Sequence, residues 1–195
     1  DKETQDAFAS IPMFHYVPIE GVGLPPRWAE LWKIVTPVAM SEFGADEIEK
    51  VTGTRPSVIY HGIDTEVFHP VTSTHPLRLD DGKVLRSRED CRAWLQVPDD
   101  ARVLFRADAN MPRKRYPSLL RALAPVLASH PEAIFEYHTR TFGQGGHLAH
   151  EISKYHPSIG SRMVTRGIRD KYRDVPRFML TMLYNAADIY VSVSA

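Results

Sequence analysis

The residues with the clearest chemical potential are three consecutive cations in the middle of the chain, Arg113, Lys114 and Arg115. They follow an apolar stretch, residues 103–105, that is typical of a buried strand, and they precede Pro117, which suits the first turn of a helix. Cations at a helix N-terminus oppose the helix dipole unless an anion binds there, to the free backbone amides and to the side chains. The pattern therefore favours a bound phosphate, with an ordinary solvated turn as the alternative.

Three other features each allow a chemical and a structural interpretation. His147 and His150 could share a metal ion, but no third ligand is implied, so no metal site is predicted and a solvated helix is favoured. The glycine-rich residues 143–146 could hold a phosphate, yet they lack the spacing of a phosphate-binding loop, and a flexible connection is favoured. Asp108 could be a catalytic carboxylate or a turn-forming residue before Asn110.

Composition narrows the class of protein and of partner. Of the 195 residues, 43% are hydrophobic and 25% are charged, which predicts a folded chain rather than a disordered one. The 24 basic and 24 acidic residues cancel, so the overall charge argues against nucleic acid as a partner. Any anion binding must then depend on local clusters of charge.

The cysteine content and the length of the apolar runs bear on the compartment. Cys91 is the only cysteine, which rules out an internal disulfide and favours a reducing environment. No apolar run reaches the roughly 20 residues that a membrane-spanning helix needs. We therefore predict a cytoplasmic protein, for which peripheral contact with a membrane stays open.

Apolar runs alternate with amphipathic stretches, which predicts an α/β fold. The predicted strands are residues 11–17, 34–40, 57–60, 103–105, 133–138, 163–165 and 189–193. Ser41 and Gly53 are suited to begin and end the helix between them. This alternation favours parallel sheets with flanking helices, in which ligands bind at the carboxyl ends of strands. The loops after Phe105, His138 and Thr165 are therefore expected to lie along one edge.

Residues 63–83 are rich in proline, glycine and polar side chains, as interdomain linkers are. This stretch is predicted to separate a first domain, residues 1–62, from a second domain, residues 84–195.

Four motifs occur in a definite order along the chain. They are serine-x-phenylalanine at residues 41–43, VIYHGIDTEVFHP at 58–70, the strand and cationic loop at 103–115, and LYNAADIYVSVS at 183–194. In this order they resemble the motifs of the family four glycosyltransferases, retaining enzymes of the two-domain GT-B fold. The resemblance covers nearly all of residues 11–195, and the order of the motifs is more specific than any single one.

The resemblance implies both a fold and an activity. Residues 1–62 would be the second half of an N-terminal, acceptor-side Rossmann-like domain, and residues 84–195 the first part of a C-terminal domain that binds a nucleotide sugar. The enzyme would transfer a sugar from a nucleotide diphosphate sugar to an acceptor with retention of configuration, without a cofactor. The acceptor, an unidentified sugar, lipid or protein, is left open.

The resemblance also implies a set of binding residues. Lys114 matches the family lysine that meets the donor diphosphate, where a cation stabilises the charge that develops on the leaving group. The implied diphosphate-binding residues are Lys114, Arg113, Asn110 and Arg106; the implied base-binding residues are Arg166, Gly167 and Ile168; and the implied cleft loop of the N-terminal domain contains Glu20 and Gly21.

Two departures from the family pattern support alternatives. Ala109 stands where the family has an arginine, and the two glutamates that contact the donor are expected only beyond Ala195, so we expect an internal part of an enzyme. One alternative is a noncatalytic binding or scaffold protein that keeps the fold. A nucleotide sugar epimerase is a second alternative, which residues 58–70 disfavour because they match transferases better.

Overall fold

The structure is a computed structural model that describes residues 11–166 and 175–193. The chain divides into two compact units, Asp1–Ile63 and Asp64–Ala195. Both units are mixed α/β, with parallel strands and flanking helices, which confirms the predicted fold class at this level. This architecture is compatible with Rossmann-like domains.

The described part of the first unit, residues 11–63, contains three strands and two helices. Its elements are β1 (Phe14–Val17), α1 (Arg27–Leu31), β2 (Thr36–Ala39), α2 (Glu42–Thr52) and β3 (Ser57–Val58). The strands form a parallel sheet in the order β1-β2-β3. The core beneath it is built from Val17, Ile19, Trp32, Ala39, Ala45 and Ile48.

The helix α2 begins and ends as the sequence predicts. The Ser41 hydroxyl accepts a hydrogen bond from the Gly44 amide at 3.1 Å, which satisfies one of the free amides at the helix N-terminus. Gly53 ends the helix with a φ of 73°, a left-handed conformation that glycine adopts without steric cost.

Pro37 lies in the central strand of this sheet, a position that proline normally avoids because it cannot donate a ladder hydrogen bond. The Thr36 amide donates to Met13 in the direction of β1, so the Pro37 nitrogen faces the side of β3. The pairing with β3 starts only at Val38, opposite Ser57. The missing donor is therefore tolerated because it lies at the start of that ladder.

The second unit is larger, and its described residues form two hairpins as well as a parallel sheet. Its elements are β4 (Leu77–Arg78), β5 (Val84–Leu85), α3 (Arg88–Trp94), β6 (Arg102–Ala107), a 3-10 turn (Pro112–Lys114), α4 (Tyr116–Ser129), β7 (Ala133–His138), β8 (Phe142–Gly143), β9 (Gly146–His147), α5 (Leu148–Ile152), α6 (Pro157–Gly160), β10 (Met163–Val164), α7 (Arg177–Ala186) and β11 (Ile189–Tyr190).

The parallel sheet of this unit has the order β10-β7-β6-β11. From β6 the chain adds β7 and then β10 on one side, and it returns to add β11 on the other side. The direction of winding thus reverses between β6 and β11. In open α/β sheets, ligands bind in the crevice outside the carboxyl ends of the strands at such a switch point.

Helices cover both faces of this sheet, as the alternation along β6 requires. Val103 and Phe105 pack in one buried cluster with Met182 of α7. Leu104 packs in a second buried cluster with Leu120 of α4. These two layers fix the positions at which the loops leave the carboxyl ends of β6 and β7.

Most of the stretch predicted as a linker, residues 63–83, lies inside the second unit. The short strands β4 and β5 pair antiparallel, with Leu77 opposite Leu85. Val71 and Leu79 join these leucines in the core beside α7. Although this stretch is mostly polar, these few apolar residues fix it to the core of the second unit.

No helix among the described residues is both long and apolar enough to cross a membrane.

Candidate functional site

A cleft of about 730 Å³ opens at the carboxyl ends of β6 and β7. It is lined by Ala107, Asp108, Ala109, Asn110 and Met111 after β6, by His138, Thr139 and Arg140 after β7, by Phe142, Gly143 and Gln144 of the β8–β9 hairpin, and by Leu180 and Tyr184 of α7. The loops after Phe105 and His138 therefore share one edge, as the sequence predicts. This edge includes the switch point of the sheet.

The predicted strand, loop and helix around the three cations are confirmed. The strand β6 extends to Ala107, the 3-10 turn carries Arg113 and Lys114, and α4 starts at Tyr116 with Pro117 in its first turn. Arg115 joins the turn to the helix with a φ of 49°. The 3-10 turn is close to the end of β6, since Lys114 contacts Asp108.

Asp108 holds two cations at the end of β6. Its Oδ1 lies 2.9 Å from Lys114 Nζ, and its Oδ2 accepts a hydrogen bond from Arg106 Nη2 at 3.1 Å. Partial burial by itself would raise the pKa of Asp108, but the hydrogen bonds from Lys114 and Arg106 outweigh it and hold the pKa below its ordinary value. Asp108 is therefore a carboxylate at neutral pH, and its pairing fits neither a catalytic acid nor a simple turn residue.

Arg106, a predicted diphosphate-binding residue, is completely buried. Its guanidinium carbon lies 4.6 Å from the centre of the Tyr116 ring, and the Tyr116 hydroxyl donates to the Asp108 carbonyl at 3.3 Å. Burial raises the pKa of Tyr116 to about 12, so this hydroxyl keeps its proton. Arg106 therefore acts on the cleft through its charge and through Asp108 rather than through an exposed surface.

Asn110, another predicted diphosphate-binding residue, fastens the β8–β9 hairpin to the loop. Its side-chain amide donates to the carbonyls of Arg140 at 3.1 Å and Gly146 at 2.9 Å. The Gly145 amide donates in return to the Asn110 carbonyl at 3.0 Å. Both amide hydrogens of Asn110 are thus used within the protein, which makes it a residue that positions the cleft wall.

The glycines of this hairpin permit the close packing on Asn110. A Cβ atom added to Gly145 would lie 2.3 Å from Asn110 Oδ1, and one added to Gly143 would lie 2.7 Å from the Asn110 carbonyl oxygen. The sequence favours a flexible connection here, whereas the structure shows a hairpin packed against the loop after β6. The prediction is wrong because glycine also permits close approach of two backbone segments, which composition does not reveal.

The histidine spacing next to this hairpin has a structural explanation. His147 Nδ1 accepts a hydrogen bond from the His150 amide at 3.2 Å, so His147 is the N-cap of α5. Among residues 11–166 and 175–193, no group of three or more potential metal ligands comes together.

Arg113 and Lys114, adjacent in sequence, differ in their surroundings. Arg113 is exposed, as is Arg115, and neither forms an ion pair within the described part of the chain. The Lys114 side chain is only 18% exposed and lies against Asp108. Lys114 therefore has a defined position beside Asp108, which lines the cleft, whereas Lys114 itself and the two arginines are not among the residues that line it.

Arg166, predicted to contact the nucleotide base, is fastened to the sheet. Its amide donates to Glu136 Oε1 at 2.5 Å and its guanidinium to Glu136 Oε2 at 2.6 Å. Burial raises the pKa of Glu136, although both hydrogen bonds from Arg166 act in the opposite sense. The other two predicted base-binding residues, Gly167 and Ile168, lie outside the described residues.

Glu20 and Gly21, predicted to form a cleft loop, are exposed in the first unit after β1. The loop is anchored further along, where the Gly23 amide donates to Glu47 Oε2 at 2.9 Å. Glu47 is a buried residue of α2 that also pairs with Lys50. Glu20 and Gly21 therefore belong to a loop with a fixed attachment.

Sequence reasoning missed the aromatic side of the cleft. Tyr184 of α7 lines the cleft and packs edge-on against Phe105, with ring centres 5.1 Å apart. Tyr190 stacks beside it at 6.0 Å and donates from its hydroxyl to the Ala107 carbonyl at 3.0 Å. The spacing of Leu180 and Tyr184, one helical turn apart, was the signal that could have placed both on one helix face.

No family model matches this chain, and no curated protein matches it. The function proposed below therefore depends on the geometry of the cleft and on the order of the sequence motifs.

Proposed function

We propose that the protein is a retaining glycosyltransferase of the GT-B fold that binds the diphosphate of a nucleotide sugar in the cleft after β6. The observation that carries the proposal is the position of Lys114. Lys114 contacts Asp108, which lines a cleft at the carboxyl end of β6, next to the switch point of a parallel sheet, where α/β folds bind nucleotides.

The charge of the loop supports an anionic ligand. Between Arg106 and Tyr116 the chain has four cationic side chains and a single carboxylate, Asp108, so a positive excess remains after internal pairing. Arg113 and Arg115 are exposed on the same turn as Lys114. A diphosphate placed there would gain charge-assisted hydrogen bonds, which are stronger than neutral ones.

The walls of the cleft support a ligand larger than a phosphate ion. Tyr184 and Leu180 of α7 line the cleft together with residues of the β8–β9 hairpin. A mixed lining of apolar and polar groups is typical of sites for organic ligands. The cleft therefore has surfaces for a sugar or nucleoside attached to the phosphates.

Lys114→Ala tests the proposal directly. We expect the affinity of the full chain for UDP, GDP or ADP, whichever binds best, to fall roughly 10- to 100-fold, because a hydrogen bond to a charged group is lost. The measurement is isothermal titration calorimetry.

Lys154→Ala is the matched control, since Lys154 lies in the same unit and is half exposed beside Glu151. It removes the same charge away from the cleft, so the affinity should stay within about twofold of the wild type if only long-range charge is lost. Equal affinities of Lys114→Ala and the wild type would show that Lys114 does not bind the nucleotide.

The noncatalytic alternative is supported by Ala109. This exposed residue lines the cleft where the resembling family has an arginine, so one expected cation is replaced by a methyl group. Incubation with the nucleotide sugar that binds best separates the two functions. A transferase slowly releases the nucleoside diphosphate by hydrolysis even without an acceptor, whereas a scaffold binds the donor and leaves it intact.

A further inference from the structure

We propose that Asp108 is an internal counter-anion that competes with the phosphates of a ligand for Lys114, and so sets how tightly the cleft binds diphosphates. The inference rests on the proposed donor site and concerns the regulation of its affinity. It is carried by the contacts of Asp108 with Lys114 and Arg106 at the cleft.

The geometry of the Asp108 carboxylate resembles that of a bound phosphate. Each of its oxygens faces one cation, with Lys114 Nζ at 2.9 Å from Oδ1 and Arg106 Nη2 at 3.1 Å from Oδ2. An oxygen of a phosphate group placed beside Lys114 Nζ would make the contact that Oδ1 makes, whereas the completely buried Arg106 offers no surface to a ligand. The carboxylate therefore occupies the position beside Lys114 that an anionic ligand needs.

The two cations differ in their freedom to exchange partners. Arg106 is completely buried and stacked on Tyr116, so its position is fixed by packing. Lys114 and Asp108 are 18% and 15% exposed, and Asp108 lines the cleft. A lysine ammonium has three donor hydrogens on a flexible stem, so Lys114 can turn from the carboxylate to a ligand without moving the backbone.

The competition persists at neutral pH because Asp108 remains charged. Lys114 and Arg106 hold its pKa below the ordinary value, against the effect of partial burial. A phosphate that approaches Lys114 therefore meets a negative charge within a few ångströms, and like charges at that distance repel. The affinity of the site is lower than its cations alone would give.

Asp108→Asn tests this inference, since it removes the charge and keeps the size of the side chain. Inorganic pyrophosphate, UDP, GDP and ADP are titrated into the full chain by calorimetry. We expect the variant to bind pyrophosphate and the preferred nucleotide about fivefold more tightly, the factor that corresponds to one partly exposed charge pair. The salt dependence of binding should also become steeper, because one more cation is available to the ligand.

Three control variants test whether the change in affinity comes from the charge of Asp108 and its action on Lys114. Glu151→Gln removes one negative charge from a partly exposed ion pair elsewhere in the unit and should leave affinity unchanged. Asp108→Glu keeps the charge and should not tighten binding. In a Lys114→Ala background, Asp108→Asn should tighten binding less than it does in the wild type, because the competition for Lys114 is gone and only the direct repulsion by Asp108 is relieved. Thermal unfolding of every variant verifies that it is folded.

The outcomes separate failure of the inference from failure of the proposed function. Equal or weaker binding in Asp108→Asn, with normal binding in wild type, overturns the inference alone and makes Asp108 a residue that orients Lys114. Tighter binding by wild type than by Asp108→Asn in the presence of Mg²⁺ also overturns it, because Asp108 would then be a metal ligand. Absence of binding in all of the folded proteins overturns both proposals.

Discussion

Two aspartates at opposite ends of the sheet in the second unit hold cationic side chains in different ways. Asp108 follows β6 at the carboxyl edge, and Asp188 precedes β11 at the amino edge. Their side chains are almost equally exposed, 15% and 13%, so burial does not distinguish them. The Asp188 cluster is marked by its bonds to main-chain groups of several elements.

The side chains of the Asp188 cluster form several hydrogen bonds with main-chain groups. Asp188 Oδ2 accepts from the Val103 amide at 2.8 Å, and Oδ1 lies 2.7 Å from Arg88 Nη2. Arg92 donates to the carbonyls of Ala186 at 3.1 Å and Ala101 at 2.7 Å. These bonds tie α3, α7 and the starts of β6 and β11 together, so the cluster stabilises the fold.

In the Asp108 cluster, Lys114 and Arg106 contact the carboxylate through their side chains, and Asp108 lines the cleft. Similar ionic groups thus stabilise the fold at one edge and lie at the candidate site at the other. Bonds to main-chain groups, rather than charge or burial, are what assign a structural role to the Asp188 cluster.

The largest expected effect that tests this comparison is a loss of stability in Arg92→Ala. Removing this buried cation takes one partner from Asp188, which keeps Arg88 and the Val103 amide, and it removes the Arg92 donors from the carbonyls of Ala186, Pro98 and Ala101. Buried acceptors that lose their donor are costly, so the free energy of unfolding should fall by about 3–5 kcal/mol. Urea unfolding measures this change. Nucleotide affinity at 5 °C, where the variant is still folded, should match that of the wild type.

Arg102→Ala is the control within the same cluster. Arg102 is 70% exposed and lies 3.6 Å from Asp188, so its removal should cost less than about 1 kcal/mol. If Arg92→Ala lowers the free energy of unfolding no more than Arg102→Ala does, the Asp188 cluster does not stabilise the fold.

The second effect in size concerns the wall of the cleft. Gly145→Ala forces a methyl group to within 2.3 Å of Asn110 Oδ1 and about 3 Å of the Met111 backbone. We expect a stability loss of about 1–3 kcal/mol from this overpacking, together with weaker nucleotide binding. Gly62→Ala, which places its Cβ more than 4 Å from any other group, is the matched control. Unchanged affinity in Gly145→Ala would mean that the hairpin does not shape the site.

The smallest effect is an acid-dependent one that both aspartates share. For Asp188, as for Asp108, partial burial raises the pKa, but hydrogen bonds outweigh it and leave the pKa below the ordinary value. A lowered pKa contributes stability above the ordinary aspartate value, about 3.9, and this contribution is lost as pH falls through the folded-state value. Asp188→Asn should therefore be less stable than wild type at pH 7, and the difference should shrink below pH 4.

Urea unfolding at a series of pH values follows this difference. Asp108→Asn should show the same trend with a smaller amplitude, because fewer backbone groups depend on it. A stability difference that stays constant down to pH 2 in either variant would contradict the lowered pKa.

The local features of the fold were readable from the sequence because they depend on neighbouring residues. Ser41 and Gly53 begin and end α2 through hydrogen bonds and backbone conformation within one turn. Pro117 likewise signals the start of α4. The alternation of apolar runs was sufficient to predict parallel sheets with their loops along one edge.

The contacts that shape the cleft were not readable because they join segments that the fold brings together. Asn110 fastens a hairpin more than thirty residues away, as measured from Asn110 to Gly146. The pairing of Asp108 with Lys114 depends on the path of the loop between them, which includes the 3-10 turn. The residue types indicated that Asn110, Asp108 and Lys114 are polar or charged groups of the site, but the partner of each is determined by the tertiary structure.

Pro37 has a consequence for how the first unit folds. A one-residue slip of a strand exchanges its inward and outward side chains, so a sheet needs something to define where pairing begins. Because Pro37 has no amide to offer toward β3, a ladder that extended earlier along β2 would lack a donor at its first step. The proline therefore disfavours pairing of β3 with β2 in a shifted register.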